Sequence, residues 1–279
     1  MANLQTIKQK AADADAKHGT GGLLTSKVDA AAKSLMAKKV NPNQQWQVVA
    51  VVDRSGSMGD EYRSGAVQNA IDIALGFALI VDDDGNVPTV FFDDRIETHT
   101  IDTGNFHGFL NKNGIRARNT TDLTAALHEV AKITGNGDLF SGGGGMFRRG
   151  SGTKPTVKHM NMPAYVIVIT DGVPNDTASA TDAIRALSYR GIFLKFIYVG
   201  DVSVDRNGEP VDRGLRYLMS LDDDIPVGVP YERGGRLIDN VDVKPLGSMV
   251  GAPDSDVYDA MFDEVSTWTT AAKANQLIS

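Results

Sequence analysis

The sequence predicts an α/β chain built on a doubly wound, mostly parallel sheet with helices on both faces. Three observations predict it. Short, nearly uninterrupted apolar runs at 46–52 (WQVVAVV), 164–170 (AYVIVIT) and 192–200 (IFLKFIYVG) have the Val/Ile richness of strands buried on both faces. Longer segments between them repeat apolar residues at helical spacing. Because strands and helices alternate along the chain, βαβ units and parallel pairing follow.

Taken in order, residues 1–44 read as a polar helical extension, with Val28, Ala31, Leu35 and Met36 forming a weak apolar stripe. NPNQQ ends it, since Pro42 disfavours helical geometry at Asn41. Residues 45–279 then form one domain. After the strand 46–52, the segment 66–81 places Ala66, Val67, Ala70, Ile71, Ala74, Phe77, Ala78 and Val81 on a core-packed helix. DDDGN is a turn, VPTVFF a strand, and RIETHTI a further strand with alternating side chains. Leu123, Ala126, Leu127, Val130 and Ile133 mark a helix. Gly135 to Lys158 holds too much glycine to pack and reads as a mobile insertion. A helix at 181–191 is expected to close at Gly191. The last element, 254–274, reads as a single amphipathic helix along Val257, Met261, Val265, Trp268 and Ala272.

Composition narrows the function. With 279 residues, 42% hydrophobic and 23% charged, the chain can bury a substantial core. A net charge of −7 and no basic stripe argue against nucleic acid as a partner. The absence of cysteine removes disulfides, thiolate catalysis and Cys-ligated zinc. No apolar run approaches the roughly 20 residues that span a bilayer, and the polar N-terminus shows no signal peptide. The expectation is a cytoplasmic protein with no membrane partner.

Chemistry concentrates where parallel sheets hold ligands, at the carboxyl ends of the strands. Three segments bring oxygen donors there: DRSGS after the first buried strand, NTTDLT before a helix, and ITDG after another buried strand. An all-oxygen set with few carboxylates and several hydroxyls suits a hard cation, Mg²⁺ or Mn²⁺, better than zinc. Other acids have simpler roles. Asp122 and Asp176 are expected to cap helices, and the acidic turns VDDDGN and DRNGEPVD lack the EF-hand spacing. GGGGMFRRGSGTK lacks the Gly-Lys-Ser/Thr ending of a phosphate loop. The five histidines show no ligand spacing, and Trp46 and Trp268 read as packing residues.

DRSGS, the threonine of NTTDLTAAL and the aspartate of VIVITDG together resemble the metal-ion-dependent adhesion site (MIDAS) of von Willebrand factor A (VWA) domains. The resemblance implies the Rossmann-like VWA fold, with Asp53, Ser55, Ser57, Thr121 and Asp171 as metal ligands. Thr121 is preferred over Thr120 because it lies six residues before Leu127, the usual relation in the family. The end of the chain, from RLIDNVDVKPLGSM to STWTTAAKA, is similar to the tellurium-resistance (Ter-type) cytoplasmic VWA proteins. From this follow a bound Mg²⁺, with Mn²⁺ or Ca²⁺ as substitutes, and a protein partner whose Asp or Glu completes the ion's shell. The Gly-rich insertion departs from the family pattern. The reading is a non-enzymatic binding module in a stress-resistance or phage-associated complex. The alternatives are a Mg²⁺-dependent phosphoesterase and a structural assembly component.

Overall fold

The alternation of strands and helices produces one sheet with two covered faces. A computed structural model describes residues 4–82, 84–137, 139, 154–247 and 253–279. Six strands, β1 (Gln47–Asp53), β2 (Val87–Phe92), β3 (Ile96–Ile101), β4 (Ala164–Thr170), β5 (Ile192–Tyr198) and β6 (Val241–Pro245), lie in the order β3-β2-β1-β4-β5-β6. All neighbours pair in parallel except β2 and β3, which form an antiparallel hairpin at the edge.

The strand period of two separates the core into halves. Val48, Ala50 and Val52 of β1 face one cluster, and Val49 and Val51 face the other. The first half is covered by α1 (Leu4–His18), α2 (Leu23–Ala37), α4 (Ala66–Val81), α9 (Asp254–Phe262) and α10 (Val265–Ala274), with the single turns α3 (Gly59–Ser64) and α5 (Phe109–Asn113) at its margin. The second lies under α6 (Leu123–Ile133), α7 (Thr177–Leu187) and α8 (Arg213–Asp223). Helix α4 is buried along almost its whole surface, because the sheet lies on one side and α2 on the other. No single helix among the described residues is long and apolar enough to cross a membrane.

The N-terminal segment forms two helices, α1 and α2, packed as a hairpin. Asp15 of α1 accepts hydrogen bonds from the amides of Leu24 and Thr25 and from the hydroxyls of Thr20 and Thr25. It thereby satisfies donors that the start of α2 leaves open, a task Gly22 cannot perform. Within the expected stripe, Val28, Ala31 and Leu35 are buried, but Met36 points to solvent.

Two further expectations are corrected. The terminal helix is broken at Asp263–Glu264, where Glu264 takes a left-handed φ of 63°. Helix α7 ends at Leu187, four residues before Gly191. Gly191 is instead a packing position: a Cβ there would lie 2.6 Å from Ile278 Cγ2 and 3.1 Å from the Leu277 carbonyl oxygen. Most of the Gly-rich insertion, residue 138 and residues 140–153, lies outside the described residues. Helix α8 buries Leu215, Leu218 and Leu221 at helical spacing against the second half of the core, and β6 forms the edge of the sheet beside β5.

Candidate metal centre

The parallel strands β1, β4 and β5 all end at one edge, so Asp53 closing β1 and Asp171 following β4 are brought together there. Asp53 is fully buried. Its Oδ1 accepts the Ser55 amide at 2.7 Å, which folds the chain back over the strand end. Its Oδ2 accepts the Thr170 hydroxyl at 2.6 Å. A short 3₁₀ turn over Gly56–Met58 then presents Ser57 beside Ser55, with hydroxyls 3.0 Å apart. The Ser57 hydroxyl donates to Asp171 Oδ1 at 2.9 Å. Four of the five expected ligands are therefore joined in one hydrogen-bonded set.

Thr121 is buried, and its side chain joins none of these bonds. Its backbone ties it to the same edge. Gly56 donates to the Asn119 carbonyl at 3.1 Å, and Asn175, in the loop after Asp171, donates to the Thr121 carbonyl at 2.9 Å. Asp122 caps α6 by accepting the Ala125 amide, and Asp176 caps α7 by accepting the Ser179 amide, as expected. Trp46 and Trp268 pack against each other with ring centroids 5.3 Å apart.

The electrostatics are one-sided. Burial pushes the Asp53 carboxyl up to about 6; hydrogen bonds from Thr170 and Ser55 oppose this, and the charge of Asp171 adds to it. Burial also raises Asp171, helped by the charge of Asp212 and opposed by Ser57. Glu61 on α3 is raised by burial and then by Asp171 and Asp60. Among the described residues, no Lys or Arg pairs with Asp53 or Asp171. Arg54, inside the motif itself, is turned toward Asp93 and Glu97. Burial alone would raise Asp93, but the Arg118 hydrogen bond, the Arg95 amide and the charge of Arg54 together hold it below the usual carboxylate range. The motif's own cation is thus neutralised beside the site, not within it.

Thr170 is the residue that sequence reasoning missed. Its hydroxyl links the two strand ends and also accepts the Gly172 amide at 3.2 Å. The signal was its place directly before Asp171 in ITDG, which reads in isolation as the end of a buried strand.

A strand-end aspartate, two serine hydroxyls and a second strand-end aspartate, set on this sheet order, define a VWA-type domain. The family model described as the VWA found in the TerF C terminus matches residues 45–278. The chain belongs to this TerF-like VWA family. It is 23% identical over 252 residues to the uncharacterized protein YcbR of Bacillus subtilis (strain 168), covering 88% of this chain and 86% of that protein. Among solved structures it is similar to an aerotolerance-related membrane protein from Bacteroides fragilis, with 16% identity over 80% of this chain and 99% of that chain (TM-score 0.46). It is also similar to the manganese-loaded TRAP protein of Plasmodium vivax, with 18% identity over 80% of this chain and 74% of that chain (TM-score 0.47). VWA-type domains generally mediate metal-dependent protein interactions.

Proposed function

We propose that Asp53, Ser55, Ser57, Thr121 and Asp171 hold a hard divalent cation, Mg²⁺ with Mn²⁺ or Ca²⁺ as substitutes, and that a protein partner's Asp or Glu binds it. One observation carries the reading. Two carboxylates, one fully buried, converge on neutral hydroxyls at a strand edge, with no basic side chain paired to either among the described residues. Burial raises both carboxyls, so a cation at this place would relieve a real electrostatic cost. The donor set is entirely oxygen and mostly uncharged, which suits Mg²⁺ and leaves the ion attractive to a further carboxylate. Bound there, the cation supplies Lewis-acid attraction for that carboxylate.

The residues divide the work. Ser55 and Ser57 offer neutral oxygens, Thr121 adds a third from the α6 side, and Asp53 and Asp171 bring the charge. Thr170 orients Asp53. The activity is capture without turnover, in a cytoplasmic stress-response or phage-associated assembly. The match to the VWA of the TerF C terminus supports the setting.

Titration calorimetry with Mn²⁺ and Mg²⁺ tests the site. Wild type is expected to bind one ion, and Asp53→Ala or Asp171→Ala to lose it by about 100-fold or more, with far-ultraviolet circular dichroism unchanged. Capture of host proteins on immobilised wild type should require Mg²⁺ and disappear in EDTA. Equal metal affinity in the Asp53→Ala protein overturns the reading.

A further inference from the structure

The rim around the metal centre has two chemically distinct sides. Among the described residues the large apolar side chains that stand exposed are Met36, Val157, Met162, Val173, Val202, Val204, Val211 and Val227. Four of these eight, Val173, Val202, Val204 and Val211, fall in the two loops that follow β4 and β5, at the edge that holds Asp53 and Asp171. Isolated exposed valines need no explanation, but clustering at a ligand edge does.

The loop 200–212 is a built hairpin. Val204 and Pro210 form an antiparallel bridge, Val211 donates to the Ser203 carbonyl at 2.9 Å, and Asp205 donates to the Glu209 carbonyl at 2.8 Å. Asp205 Oδ1 accepts the amides of Asn207 and Glu209, which closes the turn. Its root is pressed against the Asp171 loop. A Cβ on Gly200 would lie 3.2 Å from the Asp171 carbonyl oxygen, and one on Gly214 would lie 3.0 Å from Gly172 Cα. The valines therefore stand on a hairpin whose root is fixed against the Asp171 backbone. β-branched side chains lose little rotamer freedom when covered, which favours a binding surface.

The opposite side carries arginines interleaved with the acids Asp93, Asp94 and Glu97. Arg118 donates its Nε to Asp93 Oδ2 while its side chain stays 49% exposed, and its backbone amide is bonded to the Arg54 carbonyl within the motif. Arg116, two residues before it, and Arg95, in the turn after β2, are also exposed.

We propose that this rim recognises an extended protein segment in which aliphatic residues adjoin an acidic residue. The acid goes to the ion, and the aliphatic side chains cover Val202, Val204 and Val211. The proposal rests on the metal reading above and adds the partner's sequence character to it. An aliphatic pair covering the hairpin should tighten binding about tenfold.

Three fluorescein-labelled hexapeptides test it by anisotropy in Mn²⁺ and in EDTA. One carries aspartate between two pairs of valines, one aspartate between two pairs of serines, and one asparagine between two pairs of valines. The aspartate–valine peptide is expected to bind about ten times more tightly than aspartate–serine in Mn²⁺, and the asparagine peptide not at all. The Val202→Ser/Val204→Ser/Val211→Ser variant changes only exposed side chains. It should bind Mn²⁺ as wild type does, yet treat the two aspartate peptides alike. Mn²⁺-dependent binding without a valine preference, or a preference that survives in the triple variant, overturns this inference and leaves the metal reading standing. If neither aspartate peptide binds in a Mn²⁺-dependent way, carboxylate capture fails and the inference fails with it.

Discussion

Two buried aspartates in this molecule are treated in opposite ways. Asp242 on β6 is 1% exposed and lies in register with Lys195 on β5, which is itself fully buried and forms an ion pair with it. The same Lys195 ammonium donates to the Ala260 carbonyl at 2.8 Å and the Asp263 carbonyl at 3.2 Å, gripping the break between α9 and α10. Lys244 reaches Asp242 from the solvent side at 3.2 Å. Asp53, equally buried, receives from the described residues a backbone amide and hydroxyl donors, with no Lys or Arg paired to it. Where the chain supplies its own cation, the charge fixes architecture. Where it supplies only neutral donors, the carboxyl keeps a burial-raised pKa with no cation paired to it among the described residues.

The largest expected effect breaks the internal pair. Lys195→Met leaves Asp242 buried with its main partner gone and should cost about 3–5 kcal/mol in denaturant unfolding. Replacing both, as Lys195→Met with Asp242→Leu, should recover most of that loss; a double variant as unstable as the single one would show that the contacts to α9 matter more than the charge. The next effect tests the other acid. Its carboxyl is raised to about 6 from 3.8, so the metal-free protein holds that proton more tightly than the unfolded chain does. Stability in EDTA should therefore fall as pH rises from about 4 to about 6 and then level off. Asp53→Asn removes this loss, so at pH 8 in EDTA it should be more stable than wild type by on the order of 2–3 kcal/mol. Adding Mn²⁺ should reverse the order, because only wild type gains from binding. Thermal melts with and without metal check both halves.

Thr170→Val removes one neutral donor from Asp53. Metal affinity should fall about tenfold, with a stability change of about 1 kcal/mol in calorimetric melts. The smallest effect concerns a carboxylate that is fully served by the chain. Burial alone would raise Asp15, but the hydrogen bonds from Thr20, Leu24 and Thr25 outweigh it and hold its carboxyl below the usual value. Its contribution is present above about pH 4 and is lost as pH falls through the lowered value. Amide exchange at Leu24 and Thr25 should accelerate selectively in acid, and Asp15→Ala should show the same exchange at neutral pH.

Much of this was legible along the chain, and the failures have physical causes. β1, β4 and β5 were plain because strands buried on both faces must be apolar at every position. Asp53, Ser55 and Ser57 were legible as a group because local turn geometry brings i, i+2 and i+4 together. Asp171 was legible only through its place after a second buried strand. Thr170 was not, since a threonine ending a strand looks the same whether or not its hydroxyl meets another strand. The α9–α10 break was hidden because helical periodicity continues through Asp263 and Glu264, and what stops the helix is Lys195, nearly seventy residues upstream. Gly191 was read by the commonest local use of glycine, as a helix stop, while its reason is the later arrival of Ile278.

By itself the sequence determined the alternation of strands and helices, the parallel sheet that alternation forces, and the oxygen donors at strand ends. These depend on hydrophobic period and on contacts within a few residues. The tertiary structure decided which charges are neutralised. That choice rests on whether a lysine on a neighbouring strand falls in register with an aspartate, as Lys195 does with Asp242, or whether an arginine beside an aspartate turns elsewhere, as Arg54 does beside Asp53. Coulomb energy acts over a few ångströms of space, and only the folded chain sets those distances.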